Sequence, residues 1–274
     1  MPIKYIAAPI KEGCTIDGAD QGIPVLKEVF PFSALVRAEQ QPESTNRKLL
    51  HLATITDFLW RLKRTEQVLP ADFMVTVGGD HCLAIGSVSA HYQENMGLIW
   101  VDSHGDSNTD QTTITGRIHG MPLSVLMGLG ASELTAVNEG HFIKKENVVL
   151  FGISSLDVEE KQLLEQLNVR IFYHQEIRER GLQVCLAEAV AYLAEKPVYV
   201  SYDLDSIDPV FCRGVNTPVQ TGLSEAEAYQ VLETLLTQLP VVSMDLVEYN
   251  PLNDDGNTLK IIRNFKAIIE KHKG

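Results

Sequence analysis

The chain has 274 residues, a formal net charge of −13 at pH 7 and a hydrophobic content of 45%. This length is normal for one α/β domain, and the mean hydropathy of −0.02 is that of a soluble globular protein. No apolar stretch is long enough to span a bilayer, and the negative charge argues against a broad nucleic-acid surface. We therefore expect a single domain over residues 1–274 whose partners include neither nucleic acid nor membrane.

The cysteines and the first residues of the chain bear on its compartment. The four cysteines show no Cys-x-x-Cys spacing, which favours reduced thiols over a disulfide framework: Cys14, Cys82, Cys185 and Cys212. The first ten residues lack the long apolar stretch of a secretory signal and are typical of a first strand. These features predict a cytoplasmic protein.

Short apolar runs alternate with amphipathic helical patterns along the chain. The predicted strands are, in order, 3–8, 73–77, 98–101, 148–152, 170–172, 198–203 and 241–245. The predicted helices between and after them include 45–67, 157–167, 182–195, 224–239 and 258–272. This alternation predicts a parallel sheet covered by helices on both faces. A closed (β/α)₈ barrel is the competing architecture, since it also alternates strands with helices.

Three side chains able to bind metal follow the apolar run 97–101. Asp102, His104 and Asp106 stand at alternating positions. In extended backbone such positions project from one face, so these groups can converge on one small volume. Two carboxylates packed against an imidazole are tolerable mainly when a cation lies between them. The spacing therefore indicates half of a metal site.

Two other predicted strands lead into similar residues. The run 198–203 ends in Asp203 and Asp205, and the run 73–77 leads into Gly78-Gly79-Asp80-His81. In open parallel sheets, ligands bind in the crevice outside the carboxyl ends of the strands. Three separate segments that direct acids and imidazoles to one edge predict a metal centre there.

These motifs together resemble those of the ureohydrolase (arginase/agmatinase) family. The matching segments are 78–81, 101–106, 119–122 and 201–209, and the resemblance extends from about residue 73 to residue 251 in motif order. It implies a three-layer α/β/α sandwich with a mostly parallel sheet of about eight strands, which decides against the barrel. It also implies a homo-oligomer, either a trimer or a hexamer.

The same resemblance implies two Mn²⁺ ions per chain. Six residues would hold them: His81, Asp102, His104, Asp106, Asp203 and Asp205. Asp102 and Asp203 occupy the bridging positions of the family. His81 and Asp106 would complete one ion, and His104 and Asp205 the other. Oxygen-rich ligation with a minority of imidazoles suits Mn²⁺ and lacks the thiolates that softer metals favour.

The implied reaction is hydrolysis of a guanidinium group. A hydroxide bridging the two ions would add to the guanidinium carbon, because two metals lower the pKa of the water between them. His119 would donate or shuttle the proton to the departing amine. Glu248 would hold the guanidinium through paired N–H bonds. The catalytic residues implied are therefore His119, Glu248 and Asp106, the last through its metal.

The choice of substrate depends on a second set of residues. By resemblance to arginases, Asn108 and Thr115 would receive the substrate α-carboxylate and Asp157 would face the α-amino group. Glu160 would assist through water, and Thr217 would complete the substrate contacts with Glu248. Agmatine has no α-carboxylate, so this set favours L-arginine, hydrolysed to L-ornithine and urea. The implied enzyme class is a binuclear manganese hydrolase of linear amidines.

Three departures from the family pattern leave an alternative open. Gly214-Val-Asn-Thr217 replaces the usual Gly-Thr-Gly-Thr, Ser155 replaces a usually acidic residue, and Arg117 replaces a frequent asparagine. We expect all three around the substrate mouth. The alternative is a sibling amidinohydrolase acting on agmatine, guanidinobutyrate or formiminoglutamate. Arg117 could pair with a substrate carboxylate or be a solvated loop cation. A non-catalytic relative is disfavoured, because no ligand is missing.

Overall fold

The protein contains one open sheet of eight parallel strands. The structure, a computed structural model, describes residues 3–43 and 48–274. The strands are β1 (Lys4–Ala8), β2 (Phe32–Leu35), β3 (Met74–Gly78), β4 (Gly97–Val101), β5 (Val148–Ile153), β6 (Arg170–Tyr173), β7 (Val198–Asp203) and β8 (Val241–Val247). Their order is β2-β1-β3-β8-β7-β4-β5-β6, and each neighbouring pair is parallel. Because β2 and β6 are free edges, the sheet is not a barrel.

Helices cover both faces of the sheet. They are α1 (Gly22–Leu26), α2 (Leu52–Val68), α3 (Ala84–Ala90), α4 (Pro122–Leu126), α5 (Ser132–Thr135), α6 (Val158–Leu167), α7 (His174–Arg180), α8 (Leu182–Leu193), α9 (Glu225–Gln238) and α10 (Asn257–Lys273). One face packs against α1 and α7–α10, and the other against α2–α6. The predicted α/β/α sandwich is therefore confirmed. None of the helices in the described ranges is long and apolar enough to cross a membrane.

The central strands are apolar on both sides because both sides are covered. In β4, Ile99 and Val101 pack into the core under α7–α10, while Leu98 and Trp100 pack into the core under α3, α4 and α6. Every residue of β4 is buried. A strand buried on both faces gives a continuous apolar run instead of an alternating one, which explains why the sequence pattern identified it.

The seven predicted strands are all present, with ends shifted by one or two residues. The sequence pattern missed β2, because this four-residue edge strand alternates between partly buried and exposed positions and has no continuous apolar run. The predicted helix 45–67 begins at Leu52, since His51 before it has left-handed backbone with φ of 51°. Residues 45–47 of that prediction lie outside the described residues.

Close backbone approach fixes the turn that follows β3. A Cβ on Gly79 would lie 1.8 Å from the Ile10 carbonyl oxygen and 2.4 Å from the Ile10 nitrogen. The Asp80 amide also donates to the Ile10 carbonyl at 2.8 Å. The loop after β1 therefore clamps the backbone just before His81.

We predict that Gly79→Ala destabilises the fold by about 3 kcal/mol, because neither clashing atom belongs to a flexible side chain. Denaturant unfolding of the metal-free protein measures the loss. Gly120→Ala is the matched control, since a Cβ there meets nothing within 4 Å. Equal stability of the two variants would show that the close approach of Gly79 to the Ile10 backbone does not restrict this position.

Candidate metal centre and active site

The candidate site lies at the carboxyl ends of four adjacent strands. In the sheet, β3, β8, β7 and β4 are consecutive neighbours. The segments after them carry His81, Glu248, Asp205 and Asp102 respectively. Because the strands are parallel, these ends meet at one edge, although the residues are up to 167 positions apart in sequence.

A first group of acids surrounds the His81 imidazole. Its Nδ1 lies 3.1 Å from Asp102 Oδ2, 3.0 Å from Asp106 Oδ2 and 3.0 Å from Asp203 Oδ2. His81 is only 1% exposed, and the three aspartates are buried as well. Three carboxylates therefore face a single imidazole nitrogen in the protein interior.

A second group forms around His104. Its Nδ1 lies 3.0 Å from Asp205 Oδ2 and 3.5 Å from Asp102 Oδ1. His81, Asp102 and Asp106 could together hold one metal ion, and so could Asp102, His104 and Asp205. Asp102 belongs to both groups, which is the geometry of a bridging carboxylate. Asp203 touches His81 but belongs to neither three-residue group in the described chain.

Neighbouring donors hold the shared carboxylate in place. Asp102 accepts hydrogen bonds from the Trp100 indole at 2.9 Å and from the His104 amide at 2.7 Å. The Trp100 ring also stacks on the His81 ring, with centroids 4.0 Å apart. Asp203 similarly accepts from the Asp205 amide at 2.7 Å. The polar groups are thus oriented by the strand ends themselves.

A buried chain of hydrogen bonds determines which nitrogen of His81 faces the acids. Ser201 Oγ donates to Asp245 Oδ1 at 2.7 Å, and Ser87 Oγ donates to Asp245 Oδ2 at 3.0 Å. Since its proton goes to Asp245, Ser201 Oγ accepts from His81 Nε2–H at 2.9 Å. A neutral His81 then presents the Nδ1 lone pair to the aspartates. A lone pair facing carboxylate oxygens needs a cation between them.

Burial makes the aspartates hold protons more tightly. It raises the pKa of Asp106 to about 7, with help from the charge of Asp102. It also raises the pKa of Asp205 to about 6. The pKa of Asp102 is lowered instead, because the neighbouring imidazoles of His104 and His81 outweigh the effect of burial. The positive charge available from neighbouring residues therefore does not fully compensate for these aspartates.

The residues present fit a pair of divalent ions. His81 Nδ1, Asp205 Oδ1 and Glu248 Oε2 are buried without a hydrogen-bond partner. The first two have lone pairs available to a metal ion, one in each of the two groups described above. Carboxylate oxygens with two imidazoles, and no thiolate, form a donor set that suits Mn²⁺ and related hard or borderline ions.

Glu248 and His119 lie beside the acid groups. Glu248 Oε1 accepts from the His81 amide at 2.9 Å and lies 3.9 Å from His119 Nδ1. Glu248 has left-handed backbone with φ of 68°, and Asp106 has φ of 45°. Strained residues of this kind cluster at functional sites. Here the left-handed turn at Glu248 directly follows β8, where it leaves Glu248 Oε2 unpaired.

A cavity of about 310 Å³ brings together twelve of the thirteen predicted site residues. They are His81, His104, Asp106, Asn108, Thr115, His119, Asp157, Glu160, Asp203, Asp205, Thr217 and Glu248. Asp102 does not line the cavity, because it is fully buried beneath it. Thr217 donates to Asp205 Oδ2 at 3.1 Å, which places it at the deep end.

Two predicted substrate residues also have structural contacts. Asp157 and Glu160 form a capping box at the start of α6, in which each side chain accepts from the other's backbone amide. Glu160 Oε1 accepts in addition from the Ser107 amide at 2.9 Å. Asn108 Nδ2 donates to Asp157 Oδ2 at 3.0 Å. The capping box thus ties the loop after β4 to α6.

One expectation about the departures from the family pattern is wrong. Val215 and Asn216 do not line the cavity: Val215 is 1% exposed in the core, and Asn216 Oδ1 accepts from Asn250 Nδ2 at 2.6 Å. This segment therefore packs the loops after β7 and β8 together. Ser155 and Arg117 do line the cavity, as expected.

Sequence reasoning missed several residues of the site. Thr113 and Ile114 line the cavity, and Ser201 and Asp245 complete the hydrogen-bond chain behind His81. A signal existed for the last two. Both lie within predicted buried strands, where a polar residue requires a partner.

The chain is similar to known arginases in both sequence and structure. A profile of the arginase family matches residues 45–267. The arginase of Bacillus caldovelox is 35% identical over 280 residues, which cover 93% of each chain. The arginase of Staphylococcus aureus strain MRSA252 is 42% identical over 191 residues, or 68% of this chain and 63% of that protein. The native Bacillus caldovelox arginase structure at pH 5.6 superposes with a TM-score of 0.90, 31% identity and 98% coverage of both chains.

The fold and the two His/Asp groups define an α/β protein with a candidate binuclear metal centre. The family match covers most of the chain, and the Bacillus caldovelox enzyme is similar along nearly all of it. The chain belongs to the arginase family. The resemblance seen in the sequence motifs is thereby confirmed.

We predict that Ser201→Ala lowers the affinity for Mn²⁺ by about 10- to 100-fold, because it frees the His81 ring to rotate or change tautomer. Competition with a chelator measures the dissociation constant. Ser243→Ala is the matched control: Ser243 is a buried serine on β8 that donates to the Met74 carbonyl at 2.8 Å, away from His81. Equal affinities in both variants would refute the orienting role.

We also predict that the chelated protein loses stability as pH rises from about 5 to 7. The folded-state pKa values of Asp106 and Asp205, about 7 and about 6, exceed the ordinary 3.8. The folded protein therefore binds more protons than the unfolded chain in this window, so raising pH favours unfolding. Thermal unfolding midpoints at a series of pH values measure the effect.

In that pH series Asp106→Asn is the matched variant, and its thermal unfolding midpoint should fall less steeply as pH rises. Saturating Mn²⁺ should remove the decline in the unsubstituted protein. A midpoint that rises across this pH window after chelation would contradict the raised pKa values of Asp106 and Asp205.

Proposed function

We propose that this chain hydrolyses L-arginine to L-ornithine and urea, using two Mn²⁺ ions held by His81, Asp102, His104, Asp106, Asp203 and Asp205. The observation that carries the proposal is the pair of His/Asp groups that share Asp102 beneath a single cavity. The arginase name of the similar enzymes supports the choice of substrate. Asp102 and Asp203 would bridge the two ions.

The chemistry that two such ions supply when bound is a lowered pKa of water, which makes hydroxide available near neutral pH. The residues of this chain would position the substrate for attack. Glu248 Oε2 is a buried carboxylate oxygen without a partner, in a residue that lines the cavity. It suits a guanidinium N–H donor, and its companion Oε1 is already held by the His81 amide.

His119 would supply the proton for the departing amine. It lines the cavity, and its Nδ1 faces Glu248 Oε1 at 3.9 Å. Burial alone would lower the pKa of His119, but a hydrogen bond with Cys14 and the nearby Glu248 raise it well above its ordinary value. A raised pKa favours the protonated form that a general acid needs.

The other end of the cavity suits an amino-acid head group. Asp157 offers an exposed carboxylate for an ammonium group, while Asn108 and Thr115 offer hydrogen-bonding groups for a carboxylate. Thr217 at the deep end helps to orient Asp205. Glu160 would act mainly by holding Asp157 and the loop after β4.

We further propose a single-domain chain that works in the cytoplasm as a homo-oligomer, a trimer or a hexamer. The single sheet that links all three core clusters supports the first part. The four cysteines are all free and buried, as suits a reducing compartment. The oligomer follows from the resemblance to the family.

The decisive experiment is to incubate the Mn²⁺-loaded protein with L-arginine and to measure urea and ornithine. We expect both products in equal amounts, and their loss on chelation. His119→Ala should lower kcat by about 10²- to 10⁴-fold with the metal content unchanged. Glu248→Gln should lower kcat/KM by about 100-fold, again with both ions retained, because it loses charged hydrogen bonds to the guanidinium.

A substrate panel separates this proposal from the alternative. Agmatine, guanidinobutyrate and formiminoglutamate are tested alongside L-arginine. A higher kcat/KM for any of them than for L-arginine would replace the proposed substrate. Release of no urea from L-arginine above the His119→Ala level would reject the arginase activity itself.

A further inference from the structure

The rim of the cavity carries a single strongly basic side chain. We define the rim as five of the partly or fully exposed lining residues, namely Asn108, Thr115, Arg117, Ser155 and Asp157. Within residues 3–43 and 48–274, Arg117 is the only arginine or lysine that lines the cavity. It lies on the same loop as Thr115 and His119. A permanent positive charge therefore stands at the entrance to a site whose interior is acidic.

Arg117 also has no side-chain partner within the part of the chain that the structure describes. Its backbone amide donates to Thr115 Oγ1 at 3.2 Å. Its guanidinium makes no hydrogen bond, ion pair or ring contact with any residue in 3–43 or 48–274. By contrast, Arg170 on β6 and Arg180 on α7, both away from the cavity, are paired with glutamates. An unpaired cation beside a cavity is available to a ligand.

The neutral groups of the rim are already partly engaged. Asn108 Oδ1 accepts from Thr112 Oγ1 at 2.9 Å, and Asn108 Nδ2 donates to Asp157 Oδ2 at 3.0 Å. Thr115 Oγ1 accepts from Arg117. The Asp157 carboxylate, besides its bond with Asn108, caps α6. Arg117 is therefore the strongest free recognition group on the rim.

We propose that Arg117 binds the carboxylate of the substrate and determines its class: ω-guanidino carboxylates, with or without an α-amino group. This inference rests on the proposed function, because it concerns the same cavity. A guanidinium matches a carboxylate with two parallel N–H bonds, which are stronger than bonds from neutral hydroxyls and amides. The α-amino group would find only one acid on the rim, the exposed and already bonded Asp157, so its loss should cost little.

The proposal separates three compounds that differ by one group each. L-arginine has both the carboxylate and the α-amino group, 5-guanidinopentanoate lacks only the α-amino group, and agmatine lacks only the carboxylate. We expect kcat/KM for 5-guanidinopentanoate to lie within about tenfold of that for L-arginine. We expect agmatine to be poorer by about 100-fold, since charged hydrogen bonds are lost.

The test compares the Mn²⁺-loaded protein with Arg117→Ala, Arg117→Lys and Lys161→Ala. Arg117→Ala should raise KM for both guanidino acids by about 10- to 100-fold, with kcat within about threefold and agmatine kinetics unchanged. Arg117→Lys should restore part of the loss, because a charge returns without the paired donors. Lys161→Ala is the control for loss of one positive charge on α6, where Lys161 is exposed, and should leave all three substrates unchanged.

Calorimetric binding of 5-guanidinopentanoate and agmatine to the same proteins separates failure of this proposal from failure of the function. If the unsubstituted protein releases no urea from any guanidino acid but binds 5-guanidinopentanoate in an Arg117-dependent way, the hydrolase proposal fails and the recognition proposal stands. If L-arginine is hydrolysed but Arg117→Ala leaves its KM unchanged, the recognition proposal is overturned. The same holds if agmatine is used as well as L-arginine.

Discussion

The structure depends on a concentration of negative charge in the protein interior. Asp102, Asp106, Asp203 and Asp205 are all nearly inaccessible to solvent, and the imidazoles of His81 and His104 lie among them as potential counter-charges. Removing a carboxylate from water is costly unless a cation compensates for it. The raised pKa values of Asp106 and Asp205 express that cost. Divalent ions would relieve it, so the same feature that is costly in the metal-free fold makes the site suited to metal.

The topology of the sheet makes this concentration possible. Parallel strands deliver their carboxyl ends to one edge, and four neighbouring central strands carry acids or an imidazole just beyond that edge. Local backbone then aims the groups. The left-handed turns at Asp106 and Glu248 and the close contact between Gly79 and Ile10 leave little freedom at the deep end. Trp100, Ser201 and Asp245 hold the metal-facing side chains from behind.

The cavity has a deep end and a rim that differ in construction. At the deep end, buried side chains are fixed by hydrogen bonds from strands and backbone amides, which suits chemistry that needs fixed distances. At the rim, Thr115, Ser155 and Asp157 are exposed and lie on loops. Loops vary more readily than the strands that support them. The departures at Ser155 and Arg117 lie on this rim and replace none of the residues in the two His/Asp groups.

The sequence alone determined the layers, seven of the eight strands and the segments that supply the metal-facing groups. Continuous apolar runs followed by acids at alternating positions are local patterns, and both the strand period and the ligand spacing can be counted along the chain. The edge strand β2 was missed because four residues that alternate between partly buried and exposed positions give too weak a pattern for a prediction. The start of α2 was misplaced because nothing in the sequence marks the left-handed turn at His51.

Only the tertiary structure decided which groups meet. Ser201 and Asp245 belong to different strands and reach His81 from a third, so their contact depends on strand order, which a single sequence does not reveal. Strand order also placed Val215 and Asn216 in the packing between loops, away from the cavity. The physical reason is the same in each case. A local pattern fixes what a side chain is and which face it takes, while its neighbours across the sheet are fixed by long-range packing.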